Sequence, residues 1–265
     1  MEGFKMHIKE TATGARARVG RVLAGTLTVS AIAVGASLAV QAAPALAVAS
    51  SNSPCATVDI IVARASTEAQ GPGVIGALAE EIQKGVKATV GERSVVYPAA
   101  LTPYEPSVTA GDKAIKAELE EEVTKCPGQK IVLLGYSQGA QIVGDALGGG
   151  GGNKSVDGAG DGPATPPAAA FATEKVVGVI QYGDPRRIPG QSFDVGSDKN
   201  AEGLFPRLKT QLLTAFASDI QSYCDTGDPF CAKGLDLEAH LDYVEKYDKT
   251  ADSFIIGRLK AVGIE

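Results

Sequence analysis

The sequence predicts an α/β fold, a mainly parallel sheet with helices on both faces, and three features predict it. Apolar runs at 57–63, 130–134 and 176–182 are dense in Val, Ile and Leu, as strands buried on both faces are. Stretches with apolar residues at helical spacing, 73–89 and 109–125, lie between the first two runs. The middle run passes through Gly135-Tyr136-Ser137-Gln138-Gly139 straight into a helix-like stretch over 138–147, which reads as strand, sharp turn, helix. Alternating strands and helices give parallel neighbours, and in such sheets functional loops gather beyond the carboxyl ends of the strands.

The fold is expected to begin near residue 50. Residues 1–21 carry Lys5, Lys9, Arg16, Arg18 and Arg21, residues 22–40 carry no charge, and Ala45-Leu46-Ala47 offers small residues at cleavage spacing. This three-part layout predicts a secretory signal over 1–47, a linker over 48–54 and one domain over 55–265. A membrane anchor competes, because the apolar run is nearly long enough to span. Its Ala, Gly, Ser and Thr content and the Ala-x-Ala that follows favour cleavage, and no later stretch is apolar and long enough to insert. The expected product is secreted and extracellular, with a monomer as the default. The net charge of −6 becomes more negative once the basic segment is removed. No basic patch is present, so a nucleic-acid partner is not expected.

The four cysteines, Cys55, Cys126, Cys224 and Cys231, all follow the export segment. An even number in an oxidising compartment predicts two disulfides. Three pairings are possible, and the sequential one is the simplest. With no close cysteine spacing and only His240 left after cleavage, a metal site is not expected.

In order, the first strand runs into Arg64-Ala65-Ser66-Thr67-Glu68 and a Gly-Pro-Gly turn. The helix over 73–89 turns Val74, Leu78, Ile82 and Val86 inward. Ser94-Val95-Val96-Tyr97 reads as the second strand, ended by Pro98. The helix over 109–125 has Ala114, Leu119 and Val123 inward and an acidic outer face. Residues 148–169 open with five glycines and read as a flexible surface loop, with a glycosylation sequon at Asn153. After the 176–182 strand, 186–206 reads as loop, 210–217 as helix and 220–224 as a strand. Helices over 236–246 and 250–262 close the chain, the last with Phe254, Ile255 and Leu259 inward.

The chemistry starts at Ser137. A serine hydroxyl is a poor nucleophile unless exposed and paired with a base. The tight turn exposes it, and glycines two residues before and after let strand and helix approach closely. If a histidine of the same chain activates it, the base is His240, since His7 leaves with the export segment. The acid that orients the imidazole is one of Asp225, Asp228 and Asp236. Asp228 lies between Cys224 and Cys231, where a disulfide would stiffen its loop. For the oxyanion, the Gln138 backbone N–H follows the nucleophile at the helix start, and Ser66 follows an early strand.

These motifs together resemble the cutinases and related acetylxylan esterases, small secreted serine esterases, over nearly the whole chain from Cys55 onward. Gly135-Tyr136-Ser137-Gln138-Gly139 is similar to the family's nucleophile motif, and Arg64-Ala65-Ser66-Thr67-Glu68 to its oxyanion loop. Cys224-Asp225-Thr226-Gly227-Asp228-Pro229-Phe230-Cys231 resembles its disulfide-bracketed acid loop, and His240-Leu241 its histidine position. The resemblance implies disulfides Cys55–Cys126 and Cys224–Cys231 and assigns the acid role to Asp228. It also implies a lidless, three-layer α/β/α hydrolase with a five-stranded parallel sheet, hydrolysing esters through an acyl-enzyme without cofactor or metal. The expected partner is an ester: a polyester, a lipid or an acetylated polysaccharide. Two features depart from the family pattern. The 148–169 loop is long, and Lys233-Gly234-Leu235-Asp236-Leu237-Glu238-Ala239 mixes acidic with apolar residues, which opposes adsorption to a hydrophobic polymer. Short-to-medium acyl esters are the first expectation. Acetyl removal from xylan is the second, and a non-catalytic secreted interaction protein the third.

Overall fold

The structure, a computed structural model, describes residues 55–153 and 161–265. The expected export segment and linker lie outside the described residues. In chain order the elements are β1 (Val58–Ala63), α1 (Gly76–Gly85), β2 (Val90–Ser94), α2 (Tyr104–Lys125), β3 (Lys130–Tyr136), α3 (Gln138–Gly148), α4 (Ala170–Thr173), β4 (Val176–Tyr182), β5 (Asp194–Val195), β6 (Ile220–Tyr223), α5 (Leu237–Leu241) and α6 (Tyr243–Ala261).

All strand pairs are parallel, in the order β2-β1-β3-β4-β6-β5. Alternate residues of β1 and β3 point to opposite faces. Ile60, Val132 and Leu134 pack with α1 and α6, whereas Ile61, Ile131 and Leu133 pack with α2, α3 and α4. Each core therefore sits between the sheet and one helical layer. Among the described residues, no helix is long and apolar enough to cross a membrane.

The sheet has six strands among the described residues, not five. The additional strand is two-residue β5, a sheet edge inside the stretch expected to be loop. The second strand also lies earlier than expected. Edge strand β2 is half-exposed and polar, so it lacks the apolar signal of a central strand. Gly91 fits there because a Cβ would stand 2.5 Å from the Asp59 carboxylate. Val95 and Tyr97, read as strand, instead bury their side chains just beyond it. The stretch 210–217 forms two short 3₁₀ turns, Lys209–Gln211 and Thr214–Phe216. Helix α6 runs unbroken from 243 to 261, where two helical segments were expected.

The disulfides are Cys55–Cys126 and Cys224–Cys231. On the chain-entropy account, the first closes the longer loop and contributes roughly 4.4 kcal/mol, the second roughly 2.5 kcal/mol. The described ends of the glycine-rich segment are tied down. Gly150 bridges to Thr165, and the Gln211 amide donates to the carbonyls of Gly150 and Gly151. Buried Arg186 pairs with Asp161 at 3.0 Å, and buried Arg207 pairs with Asp145 at 2.7 Å. Removing one member of such a pair leaves a buried charge uncompensated, a loss of about 3–5 kcal/mol.

Candidate active site

The β3–α3 turn is as tight as its glycines suggest. A Cβ on Gly139 would stand 1.9 Å from the Ala63 carbonyl oxygen, and one on Gly135 would stand 2.6 Å from the Gly139 carbonyl oxygen. Between them Ser137 adopts φ 55° and ψ −117°, a strained conformation for a residue with a side chain, costing about 1–3 kcal/mol. Its N–H donates to the Tyr182 carbonyl at 2.7 Å, and its carbonyl accepts from the Gln141 N–H at 3.0 Å. The strain is thus held by β4 on one side and α3 on the other.

His240 meets this serine from the other end of the domain's sequence. Its Nε2 lies 2.9 Å from Ser137 Oγ, and its Nδ1 lies 2.7 Å from Asp228 Oδ2. Three supports position the imidazole. Asp236 caps α5, its carboxylate accepting from the Glu238 and Ala239 N–H groups. The Tyr136 hydroxyl, two residues after Leu134 on β3, donates to the His240 carbonyl. The Phe230 ring packs with its centroid 4.4 Å from that of the imidazole. Gly183 makes the space: its φ is +62°, and a Cβ there would fall 2.6 Å from His240 Cε1 and 2.8 Å from Nδ1. Any side chain at 183 would push the ring off its line.

The three aspartates weighed for the acid separate cleanly. Asp236 is the helix cap. Asp225 accepts from Lys246 Nζ, the Tyr247 hydroxyl and the Ser197 N–H, at 2.8, 2.7 and 2.8 Å. Asp228 alone of the three reaches the imidazole. It is fully buried, and its Oδ1 accepts from the N–H groups of Phe230 and Cys231 at 2.7 and 3.1 Å. Burial opposes its charge, but the hydrogen bonds of His240 and Tyr243 and the backbone outweigh it and hold the carboxyl below its ordinary range.

Ser66 and Ser137 line the same cleft. The loop bearing Ser66 is braced from within: Glu68 accepts from the Ala65 and Val74 N–H groups, and buried Arg64 donates to the carbonyls of Glu68 and Tyr97. Gln138 has two roles to consider. Its backbone N–H is at the first position of α3, where no intrahelical acceptor exists. Its side chain is buried and structural, accepting from Ser107 Oγ at 2.8 Å and donating to the Ala100 carbonyl at 3.1 Å.

The cleft encloses about 520 Å³. Val74, Leu101, Leu237 and Leu241 line it while remaining half or more exposed. The rim is more apolar than the sequence of 233–239 implies, because the carboxylate of Asp236 turns back onto α5. Val74, read as an inward helix residue, precedes α1 and belongs to this rim.

The Cutinase family model matches residues 54–259. An acetylxylan esterase of Hypocrea jecorina is 34% identical over 216 residues, which cover 79% of this chain and 69% of that protein. Cutinase 11 of Verticillium dahliae is 31% identical over 233 residues, 85% of this chain and 77% of that protein. Among solved structures, the catalytic core domain of acetyl xylan esterase from Trichoderma reesei superposes with a TM-score of 0.69 at 32% identity, covering 78% of this chain and all (100%) of that one.

Proposed function

This chain belongs to the cutinase family and is a carboxylic-ester hydrolase, and we propose that Ser137, His240 and Asp228 form its catalytic triad, with Gln138 and Ser66 as oxyanion donors. The observation that carries this reading is the continuous relay from Ser137 Oγ through His240 to Asp228, with spans of 2.9 and 2.7 Å, opening on the cleft. Ser137 Oγ attacks the ester carbonyl carbon as its proton moves to His240 Nε2. Asp228 keeps the other ring proton on Nδ1 and stabilises the imidazolium. The oxyanion receives hydrogen bonds from the Gln138 N–H, at the positive end of α3, and from Ser66. Collapse expels the alcohol with the proton from His240. Water then attacks the acyl-enzyme with His240 as base, releasing the acid and restoring the serine.

The substrates are short-to-medium acyl esters. An acetyl group needs about the room of two waters, roughly 60 Å³. The cleft is several times larger, and Val74, Leu101, Phe230 and Leu241 offer apolar walls to a longer chain. Acetyl removal from polysaccharide is the second reading, favoured by the likeness to acetylxylan esterase in sequence and in structure. The protein acts as a secreted monomer released from an export segment over 1–47, and its two disulfides fit an oxidising compartment.

A p-nitrophenyl ester series from acetyl to palmitoyl tests the substrate class. The expected result is a rate that peaks near butyrate. A rate confined to the acetate would replace this reading with the deacetylase one.

A further inference from the structure

We propose that Tyr243 is a positioning residue of the triad: its phenolic proton locks Asp228 Oδ2 onto His240 and tempers the carboxylate's pull on the imidazole. The inference rests on the triad reading given above.

The direction of the hydrogen bond can be read without seeing the proton. The Tyr243 hydroxyl lies 2.8 Å from the Asp225 backbone N and 2.7 Å from Asp228 Oδ2. An amide N–H can only donate, so it occupies a lone pair of the hydroxyl. The one phenolic proton is then free for Asp228, whose carboxylate is a far better acceptor than the disulfide-bonded Cys231 sulfur 3.4 Å away. Asp228 consequently has four donors on two oxygens: Phe230 and Cys231 N–H on Oδ1, His240 and Tyr243 on Oδ2. That saturates a carboxylate's acceptor sites and leaves it no alternative orientation.

The ring itself cannot move. Tyr243 is fully buried, stacked on Tyr182 at 5.7 Å between centroids and edge-on to Tyr136 at 6.0 Å. Burial and the facing Asp228 charge both keep its hydroxyl protonated, raising its pKa far above the ordinary phenol value. The titratable groups around it are Asp225 and Asp228 on the acid loop, His240 on α5, Tyr136 and Tyr182 on the sheet, Tyr247 one turn along α6, and the buried Arg187 after β4, whose charge interacts with the Tyr243 oxygen. Asp228 and His240 are the pair through which a change at Tyr243 reaches Ser137.

Two consequences separate this role from packing alone. Without the phenolic donor, Oδ2 carries more negative charge toward His240 and favours the imidazolium. The acid limb of the kcat/KM profile should therefore move to higher pH. The hydroxyl should also matter only while residue 228 is a carboxylate.

The test is Tyr243→Phe, which keeps the ring, on the full chain with p-nitrophenyl butyrate. The expected result is a kcat lower by roughly ten-fold, the size of one charge-assisted hydrogen bond, with KM nearly unchanged. The acid limb should shift upward by about half a pH unit or more. In an Asp228→Asn background the same change should cost at most about two-fold, because the coupled partner is gone. An unshifted limb, or an equal loss of kcat in both backgrounds, would overturn the proposal and leave Tyr243 a packing residue. Ser137→Ala, run alongside, separates the two levels: wild-type activity that survives Ser137→Ala removes the triad reading itself.

Discussion

Ser137→Ala should lower kcat on p-nitrophenyl butyrate by roughly a millionfold, leaving only what binding and the proposed oxyanion donors supply. The reason is chemical: alanine removes the only oxygen of the relay that faces the cleft, and His240 then has nothing to deprotonate but water. KM should stay within about three-fold, because the apolar walls and not the hydroxyl hold the acyl chain. The loss should also be non-additive. His240→Ala alone should cost about as much, and the double variant no more than either, because the members act as a unit. Thermal melting should be little changed by Ser137→Ala. The strain at φ 55° is carried by the backbone hydrogen bonds to Tyr182 and Gln141, and neither uses the side chain.

Asp228→Asn should have the second large effect, a fall in kcat of about ten-thousandfold. The amide is nearly the shape of the carboxylate, so the Phe230 and Cys231 N–H groups can still hold one oxygen. The other position, 2.7 Å from His240 Nδ1, becomes an NH₂ donor. It would stabilise the imidazole with its proton on Nε2, and that nitrogen could no longer take a proton from Ser137. The Tyr243 hydroxyl would face the same NH₂ group and lose its acceptor. Steady-state rates across pH 5–9 check this, with circular dichroism to establish that the fold is intact. A loss of less than about a hundredfold would place the functional carboxylate elsewhere.

The legible parts of this protein are those whose signals are local. β1, β3 and β4 announce themselves because both of their faces are buried, which forces near-continuous Val, Ile and Leu. β2 is an edge, paired with β1 alone, so Glu92 and Arg93 are tolerated there and the apolar signal falls on Val95 and Val96 instead. The unbroken α6 was hidden by Asp248, a polar residue that turns toward the sheet and accepts from the Tyr182 hydroxyl at 2.8 Å. It falls in the gap, 247–249, between the two helices expected from the sequence, but it is a hydrogen-bonded part of the helix face that meets the sheet.

The same logic divides the site. Ser137 is marked by its motif and His240 by being the one histidine after the expected export segment, whereas spacing leaves Asp225, Asp228 and Asp236 open and only the family resemblance of the cysteine-bracketed loop singles out Asp228. Gly183 and Tyr243 leave no local trace, because what defines them is contact across 57 and 15 positions with His240 and Asp228 respectively. Arg186 and Arg207 are equally silent in the sequence. No local pattern marks either as buried, yet both pair with buried Asp145, and Arg186 also donates to the Gly151 carbonyl of the glycine-rich segment.

Transfer of the acyl group to Ser137 is tested by covalent labelling with a p-nitrophenyl alkylphosphonate, followed by intact mass and peptide mapping. One adduct per chain is expected, on the peptide carrying Gly135-Tyr136-Ser137-Gln138-Gly139, with esterase activity lost in proportion to labelling. Activity lost with the adduct on another residue, or retained in full once Ser137 is modified, would contradict it.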